Sequence, residues 1–320
     1  MEKPQIGEEM QQKQQNGELV DNIRIERSKE DVLIHLELAN KKDDLETLFK
    51  DVKFVCMGGT ADRMKNFFSL IKSEMKRTLS ELDIQDESVD FTRNGCRFSM
   101  WKIGCVLCVN HGIGYGSLTI VLHEVIKLLH YAKVQDPILF RIGTSGGVDH
   151  PLGTVVIAEK AFNDFFEEFF EIPVLGKRVR LPAILDGNLA AELKRLAIEK
   201  CPDIPVLCGN TMSHEHFYES VASVKASICY CDDDIERSSY FDSLRQNNIL
   251  NADMEAVAIA AITNRLGIKA AVVNVIVNDL SHPTENLSCE ILTEWQTRPQ
   301  RIVAEYIKEH LRGSVKQHIK

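Results

Sequence analysis

The sequence lacks the features of membrane, secreted and nucleic-acid-binding proteins. Among its 320 residues no apolar run reaches the 18 residues that a membrane-spanning helix needs. The Gln- and Glu-rich residues 1–22 contain no apolar core of a secretory signal and too few apolar side chains to fold. The net charge is −9, whereas binding to a nucleic-acid backbone relies on clustered Lys and Arg. We therefore expect a cytoplasmic protein without membrane or nucleic-acid partners, with a disordered polar tail over residues 1–22.

The nine cysteines also lack a pattern that would hold a metal. Most of them lie inside apolar runs, and their number is odd. Cys105 and Cys108 form a C-x-x-C pair, but no second pair completes a zinc site. His214 and His216 stand close in sequence without an acidic or thiol partner at ligand spacing. We expect reduced thiols, as in the cytosol, and no metal.

No proline- and glycine-rich linker and no internal repeat divides the chain. Short apolar runs alternate with amphipathic stretches, which is typical of parallel strands buried by helices on both faces. The pattern predicts strands over 52–57, 103–110, 138–142 and 270–277. We expect one α/β domain over residues 23–314, with a mixed, mostly parallel sheet flanked by helices, and a mobile C-terminus over residues 315–320.

Two predicted strand ends pair adjacent glycines with an arginine, in "GGTADRM" and "RIGTSGG". Ligands of such sheets collect at the carboxyl ends of the strands. Glycine leaves backbone N–H groups free to meet an anion, and arginine offers a fork that matches phosphate oxygens. Arg63 and Arg141 therefore predict an oxyanion site, against the alternative that either is a surface or ion-paired residue. The nearby "HGIGYGS" does not predict NAD binding, because Ser117 occupies the place of the third glycine.

The stretch "NADMEAVAIAA" places two carboxylates at the start of a helix predicted over residues 253–267. Asp253 and Glu255 could serve only as helix caps and dipole partners. Alternatively, Glu255 accepts hydrogen bonds from a sugar diol while Met254 covers the apolar face of the sugar. Both interpretations stay open at this stage.

From about residue 30 to residue 312 the chain resembles the uridine phosphorylases of the nucleoside phosphorylase superfamily, particularly the animal enzymes. The motifs that carry the resemblance are "DVKFVCMGGTADRM", "HEVIKLL", "RIGTSGGV", "GTVVIAE", "VLGKRV", "GNTM", "FYE", "DME" and "RPQRIV". The resemblance implies the nucleoside phosphorylase fold and the conversion of nucleoside and phosphate to free base and ribose 1-phosphate. Phosphate is then a co-substrate, and no cofactor is expected.

The resemblance also implies roles for single residues. Those that would bind phosphate are Gly59, Arg63, Arg141, Thr144 and, from a neighbouring subunit, Arg97. Those that would bind ribose are Met254, Glu255 and, across the subunit interface, His35. Phe217 would pack on sugar and base. A site shared in this way implies a homo-oligomer, at least a dimer.

The resemblance fails at the positions that would hold uracil. The family carries Gln-x-Arg shortly after "FYE", where this chain has Val221 and Ser223, and an arginine after the last strand, where it has Asp279. Hydrogen bonds to charged groups contribute about 1.5–3 kcal/mol each. Losing two that strengthen in the transition state would slow uridine cleavage by about two to four orders of magnitude.

Three interpretations follow from the altered base pocket. The chain could cleave uridine-type nucleosides with other base contacts, such as Lys225 or Asn278. It could instead act on purines, because Asp279 stands near the place where purine-cleaving relatives have an aspartic acid that protonates the leaving base. Against this, Asp279 could be a turn residue bonded to its own backbone. Finally, the chain could be a weakly active or inactive scaffold that binds phosphate or sugar phosphate.

Overall fold

The computed structural model describes residues 29–78, 90–92, 97–221, 227–228, 234–281 and 287–318. The predicted tail, Ser223 and Lys225 lie outside the described residues. Within them the strands are β1 Val32–Leu33, β2 Leu38–Ala39, β3 Phe54–Gly58, β4 Met100–Ile103, β5 Val106–Asn110, β6 Ile138–Gly147, β7 Val155–Phe162, β8 Phe169–Val174, β9 Lys177–Pro182, β10 Val206–Ser213, β11 Ile249–Asp253 and β12 Lys269–Asp279. The helices are α1 Leu45–Phe49, α2 Ala61–Thr78, α3 Gly114–Tyr131, α4 Gly187–Lys200, α5 Asp234–Gln246, α6 Ala256–Arg265 and α7 Cys289–His318.

The central sheet has eight strands in the order β11-β10-β7-β12-β6-β3-β5-β4. Five of its pairings are parallel, and β12–β7, β4–β5 and β11–β6 are antiparallel. Because β11 pairs with β10 on one side and with the end of β6 on the other, five strands close on themselves. The mixed, mostly parallel sheet of the predicted α/β fold is confirmed, and its closed part surrounds the site described below.

Helices cover the sheet on both faces. Buried apolar residues of α3 and α6 pack on one face, and those of α2, α4 and α7 pack on the other. The alternation of apolar strands and amphipathic stretches reflects this three-layer packing. Helix α6 ends as its sequence indicates, with Gly267 at φ +69° directly after the cap residue Leu266.

Two strand predictions were wrong in ways that matter for the site. Residues 103–110 do not form one strand, because the backbone turns at Gly104 (φ +47°) and folds β4 back on β5. Strand β6 does not end at residue 142. Its backbone pairs with β12 as far as Gly147, so Thr144 lies inside the strand instead of following it.

Candidate active site

One cavity of about 520 Å³ gathers most of the residues that the sequence singles out. Its walls come from the ends of β3, β6, β10, β11 and β12 and the segments after them. The predicted site residues that line it are Gly59, Arg63, Arg141, Thr144, Phe217, Val221, Met254, Glu255 and Asp279, together with Asn278. Residues up to 220 positions apart therefore meet in one enclosure, as converging strand ends require.

Arg141 is buried in the floor of this cavity and is held by two carboxylates. Its guanidinium donates to Glu255 and to the side-chain oxygen of Asn274, and its Nη1 lies 3.2 Å from Oδ2 of Asp253. A Cβ at Gly143 would lie 2.0 Å from Nη1, so only glycine leaves room for this side chain. Arg141 is therefore ion-paired, as the alternative predicted. This pairing does not remove Arg141 from the site, because its partner Glu255 lines the same cavity.

Arg63 enters the cavity from the first turn of α2. Its Nε donates to the side-chain oxygen of Gln296 at 3.2 Å, and its backbone N–H donates to the hydroxyl of Thr60. Burial and the positive charge of Arg141 lower the pKa of Arg63 to about 10, although Glu255 acts in the opposite direction. Two guanidinium groups thus repel each other across the cavity. An anion placed between them would relieve that repulsion.

The two carboxylates of the "DME" motif have separate tasks. Oδ1 of Asp253 accepts hydrogen bonds from the backbone N–H groups of Glu255 and Ala256 and from the hydroxyl of Ser213. Asp253 is thus the residue that caps the start of α6. Glu255 makes no such cap; its Oε1 accepts from the backbone N–H of Gly114 at 2.6 Å and its Oε2 accepts from Arg141. The carboxylate of Glu255 therefore faces the cavity.

His111 lines the same cavity and was not given a role from the sequence. Its side chain is buried, and neither ring nitrogen has a hydrogen-bond partner within the residues that the structure describes. Burial, with the charges of Arg141 and Arg63, lowers its pKa to about 3, so the ring is neutral at physiological pH. A neutral imidazole can donate one hydrogen bond to a ligand between the arginines. Its position directly after β5 was the available signal in the sequence.

The base end of the cavity has little polarity from the predicted residues. Val221 is buried there, and Asn278 and Asp279 are half-buried. Oδ1 of Asp279 accepts from the backbone N–H of Ser281 at 2.8 Å, which is the turn interaction expected if Asp279 is a local structural residue. Arg237 of α5, which no motif indicated, also lines the cavity and donates to the carbonyl of Leu280 at 3.1 Å.

His35 and Arg97 do not line this cavity. His35 bonds through Nδ1 to Glu124 at 2.7 Å, and its ring lies 6.1 Å from the ring of Phe98. Arg97 is exposed and directly precedes Phe98. The two residues assigned to a neighbouring subunit therefore lie close together on the surface, outside the cavity of their own chain.

His214 lines the cavity at the end of β10 and is paired with a carboxylate. Its Nδ1 lies 2.6 Å from Oδ1 of Asp164, and its Nε2 is buried with no hydrogen-bond partner in the described part of the chain. The sequence drew attention to His214 only as a metal ligand. Among the described residues, no three His, Cys, Asp or Glu side chains lie together in a way that could hold a metal ion.

A second, more open cavity of about 1250 Å³ lies between α3 and the β8–β9 hairpin. It contains neither Arg63 nor Arg141; the cations that line it are Lys29, Lys127 and Arg265, and Lys127 is paired with Asp31. Within the described part of the chain, no helix is long and apolar enough to cross a bilayer.

The chain is similar over most of its length to known nucleoside-cleaving enzymes. A sequence model described as the phosphorylase superfamily matches residues 53–308. Uridine phosphorylase 2 of Mus musculus is 38% identical over 293 residues, which cover 91% of this chain and 90% of the relative. A crystal structure of uridine phosphorylase from Schistosoma mansoni in complex with thymine has a TM-score of 0.79 at 33% identity, covering 88% of this chain and 95% of that chain.

A further relative from Schistosoma mansoni carries the name inactive uridine phosphorylase B. It is 33% identical over 291 residues, which cover 90% of this chain and 95% of the relative. Identity of this extent, together with the match to the fold and to the superfamily, establishes the family. The chain belongs to the phosphorylase superfamily and, within it, to the uridine phosphorylases.

Proposed function

We propose that this chain cleaves uridine-type nucleosides with inorganic phosphate and releases the free base and ribose 1-phosphate. The observation that carries the proposal is that Arg63 and Arg141 line the same cavity as Glu255. The charges of Arg141 and Glu255 both act on the guanidinium group of Arg63. Relatives that are uridine phosphorylases support the same reaction. They do not favour the purine-directed alternative, and the turn bond of Asp279 to Ser281 gives that residue a structural task.

Phosphate would be held by Arg63 and Arg141, with the hydroxyl of Thr144 and the backbone of Gly59 as further donors. A phosphate held in this way would have an oxygen beneath the anomeric carbon of a bound nucleoside. Positioning of this kind removes part of the barrier, and the fixed guanidinium groups stabilise negative charge without reorganising. No cofactor is needed for the reaction, because phosphate itself is the nucleophile.

Glu255 and Met254 would hold the ribose. As the glycosidic bond breaks, positive charge grows on the sugar, and the carboxylate of Glu255 and the bound phosphate face that charge. Glu255 also bonds to Arg141. The same carboxylate therefore links the sugar to the phosphate-binding arginine, so both substrates are positioned by one connected set of side chains.

The site would be completed by a second copy of the chain. Arg97 would extend to phosphate and His35 to the 5′-hydroxyl of ribose, which agrees with their location outside the cavity of their own chain. The working unit would be a homodimer or a larger assembly built from dimers. The six cysteines among the described residues are free thiols, three of them buried, which fits the reducing cytoplasm as the compartment.

The direct test incubates the purified chain with uridine, thymidine, inosine and adenosine, each with and without phosphate. We expect base release and ribose 1-phosphate from uridine only when phosphate is present. Arg63→Ala should lower kcat/KM by about 10²- to 10³-fold, the usual loss for one donor to a developing charge. Arg195→Ala is the control, because Arg195 is exposed and pairs only with nearby glutamates of α4.

Each alternative has its own outcome in this experiment. Preferred cleavage of inosine or adenosine would replace the uridine-type function by the purine-directed one. Phosphate binding measured by calorimetry, without base release from any nucleoside, would establish a binding protein and end the enzymatic proposal. The relative named inactive makes this last measurement necessary.

A further inference from the structure

His214 combines three properties that a surface or purely structural histidine rarely has together. The residue is 95% buried, it lines the cavity, and Nε2 has no hydrogen-bond partner among the described residues. The other ring nitrogen, Nδ1, is fixed by Asp164 at 2.6 Å. A buried polar atom without a partner is destabilising unless something satisfies it, and here the open space next to the ring belongs to the substrate cavity.

Asp164 orients the ring and supplies a negative charge behind it. Its second oxygen accepts from the backbone N–H of Glu215 at 2.7 Å, so the carboxylate is held at both ends. Burial alone would raise the pKa of Asp164, but its hydrogen bonds, that from His214 foremost, lower it. With Nδ1 donating to Asp164, Nε2 is the nitrogen left to meet a ligand. It accepts a hydrogen bond in the neutral ring and donates one when the ring is protonated.

The position of His214 points to the nucleobase. Its backbone N–H donates to the carbonyl of Asp253 at 2.8 Å, so it lies beside Met254 and the proposed sugar site. The same segment continues to Phe217 and Val221, which line the base end of the cavity. The arginines that face phosphate come instead from β6 and from the helix after β3.

We propose, on the basis of the function above, that His214 held by Asp164 is the polar group that binds the nucleobase and assists its departure. It takes over the task of the glutamine that Val221 replaces in this chain. A protonated Nε2 would donate to a carbonyl oxygen of the base. Asp164 acts through His214 and is a positioning residue.

The step is balanced in atoms and electrons. The bond between C1′ and the base nitrogen breaks, and its electron pair goes to the base. A phosphate oxygen forms the new bond to C1′. The negative charge spreads to the carbonyl oxygens of the base, where the Nε2 proton is shared or transferred, and His214 later regains a proton from water.

The test compares His214→Asn with His216→Asn. Asparagine can keep the bond to Asp164 through its amide while removing the group at Nε2, so the fold should survive; thermal unfolding checks this. We expect His214→Asn to lower kcat/KM for uridine by about 10- to 100-fold. His216→Asn should leave it unchanged, because His216 is exposed two residues away on the same segment.

A second substrate separates contact with the base from a structural effect. The base of 5-fluorouridine is more acidic than uracil and needs less help to depart, so the loss in His214→Asn should be several-fold smaller for 5-fluorouridine. Asp164→Asn should show a smaller loss with the same dependence on substrate. An equal loss for both nucleosides, or no loss in His214→Asn, would overturn the proposal.

The outcome stays separable from the proposed function. If the wild-type chain releases no base from any nucleoside, phosphorolysis fails, and calorimetry with uracil and inorganic phosphate decides the role of His214. Uracil binding at least tenfold weaker in His214→Asn than in the wild type would support a contact between His214 and the base. Equal affinity, or no uracil binding by the wild type, would refute that contact.

Discussion

At the scale of single residues, Arg141 is ion-paired and still lines the cavity. Its charge is buried with Asp253 and Glu255 close by, and such a cluster contributes little net stability because desolvation offsets the attraction. What the cluster provides is position. The two carboxylates and Asn274 fix the guanidinium in the cavity floor, so a phosphate bound as proposed would meet a donor that is already oriented.

Gly143 is the residue that makes this position possible, and its replacement is a direct prediction. Gly143→Ala would place a Cβ 2.0 Å from Nη1 of Arg141 and 2.6 Å from Oδ1 of Asn274, so the guanidinium must move. A misplacement of about 1 Å can cost about 100-fold in rate. We expect kcat/KM for phosphate to fall by about that factor, measured by steady-state kinetics with varied phosphate.

The control for this change is Gly187→Ala at the start of α4. No atom lies within 4 Å of a Cβ there, and the new side chain restricts the unfolded chain. Activity should be unchanged and stability equal or slightly higher. An active Gly143→Ala enzyme with normal phosphate kinetics would mean that Arg141 does not need the position seen here.

The sequence predicted the residues of the cavity that belong to short motifs, and it missed those that work in pairs. "RIGTSGG" and "DME" each carry their own chemistry, so Arg141 and Glu255 could be found by inspection. His214 and Asp164 are 50 positions apart and meet only because β7 and β10 are neighbours in the sheet. Nothing in the spacing of "SHEHF" distinguishes a positioned imidazole from a metal ligand.

At the scale of elements, the cavity depends on the direction and length of the strands, which the sequence does not predict. If every strand were parallel, the carboxyl ends of all strands would lie at the same edge of the sheet. In the structure, β7 runs antiparallel to β12. The cavity forms because β11 returns beside the end of β6, which joins the carboxyl ends of oppositely directed strands. Apolar runs reveal that a strand exists; they contain no signal for its partner or direction.

Helices α2 and α7 are joined by a largely buried ion pair, and its contribution to the free energy of unfolding should depend on pH. Nζ of Lys308 lies 2.8 Å from Oε2 of Glu74, and the two side chains are 8% and 15% exposed. Burial opposes ionisation of Glu74, but the bonds from Lys308 and Arg77 lower its pKa below 4.5. Because the folded state lowers this pKa, the stability is present above the unfolded value and disappears as pH falls through the folded value.

Glu74→Gln should therefore reduce the free energy of unfolding by about 1.5–3 kcal/mol at pH 7. The difference from wild type should shrink when unfolding is measured below pH about 4. Glu192→Gln removes an exposed partner of Arg195 and should change stability by about 1 kcal/mol or less. A Glu74→Gln difference that is the same at both pH values would contradict this account.

At the scale of the whole molecule, the cavity of one chain contains only two of the three arginines that were predicted to bind phosphate. Arg97 is exposed and His35 is bonded to Glu124, and neither lines the cavity that holds Arg63 and Arg141. The ring of His35 lies 6.1 Å from that of Phe98, the residue that follows Arg97. If two copies pair about a twofold axis, a surface cluster on each copy can complete the cavity of the other.

Subunit complementation tests this arrangement. Arg63→Ala and Arg97→Ala each remove one cation, so each variant alone should lose most of its activity. In a mixed dimer, one cavity has Arg63 from its own chain and Arg97 from its partner, and this cavity is complete. Random exchange makes about half of the dimers mixed, each with one complete site of two, so activity should recover to about a quarter of the wild-type value.

The matched control mixes Arg63→Ala with the double variant Arg63→Ala, Arg97→Ala, in which no pairing can produce a complete site. That mixture should stay as inactive as its components, while native mass spectrometry verifies that mixed dimers form in both experiments. Mixed dimers of the single variants without recovered activity would show that Arg97 serves its own chain or none. Full activity of Arg97→Ala alone would show that Arg97 has no role in the reaction. The phosphate would then be held by Arg63 and Arg141 without help from a second subunit.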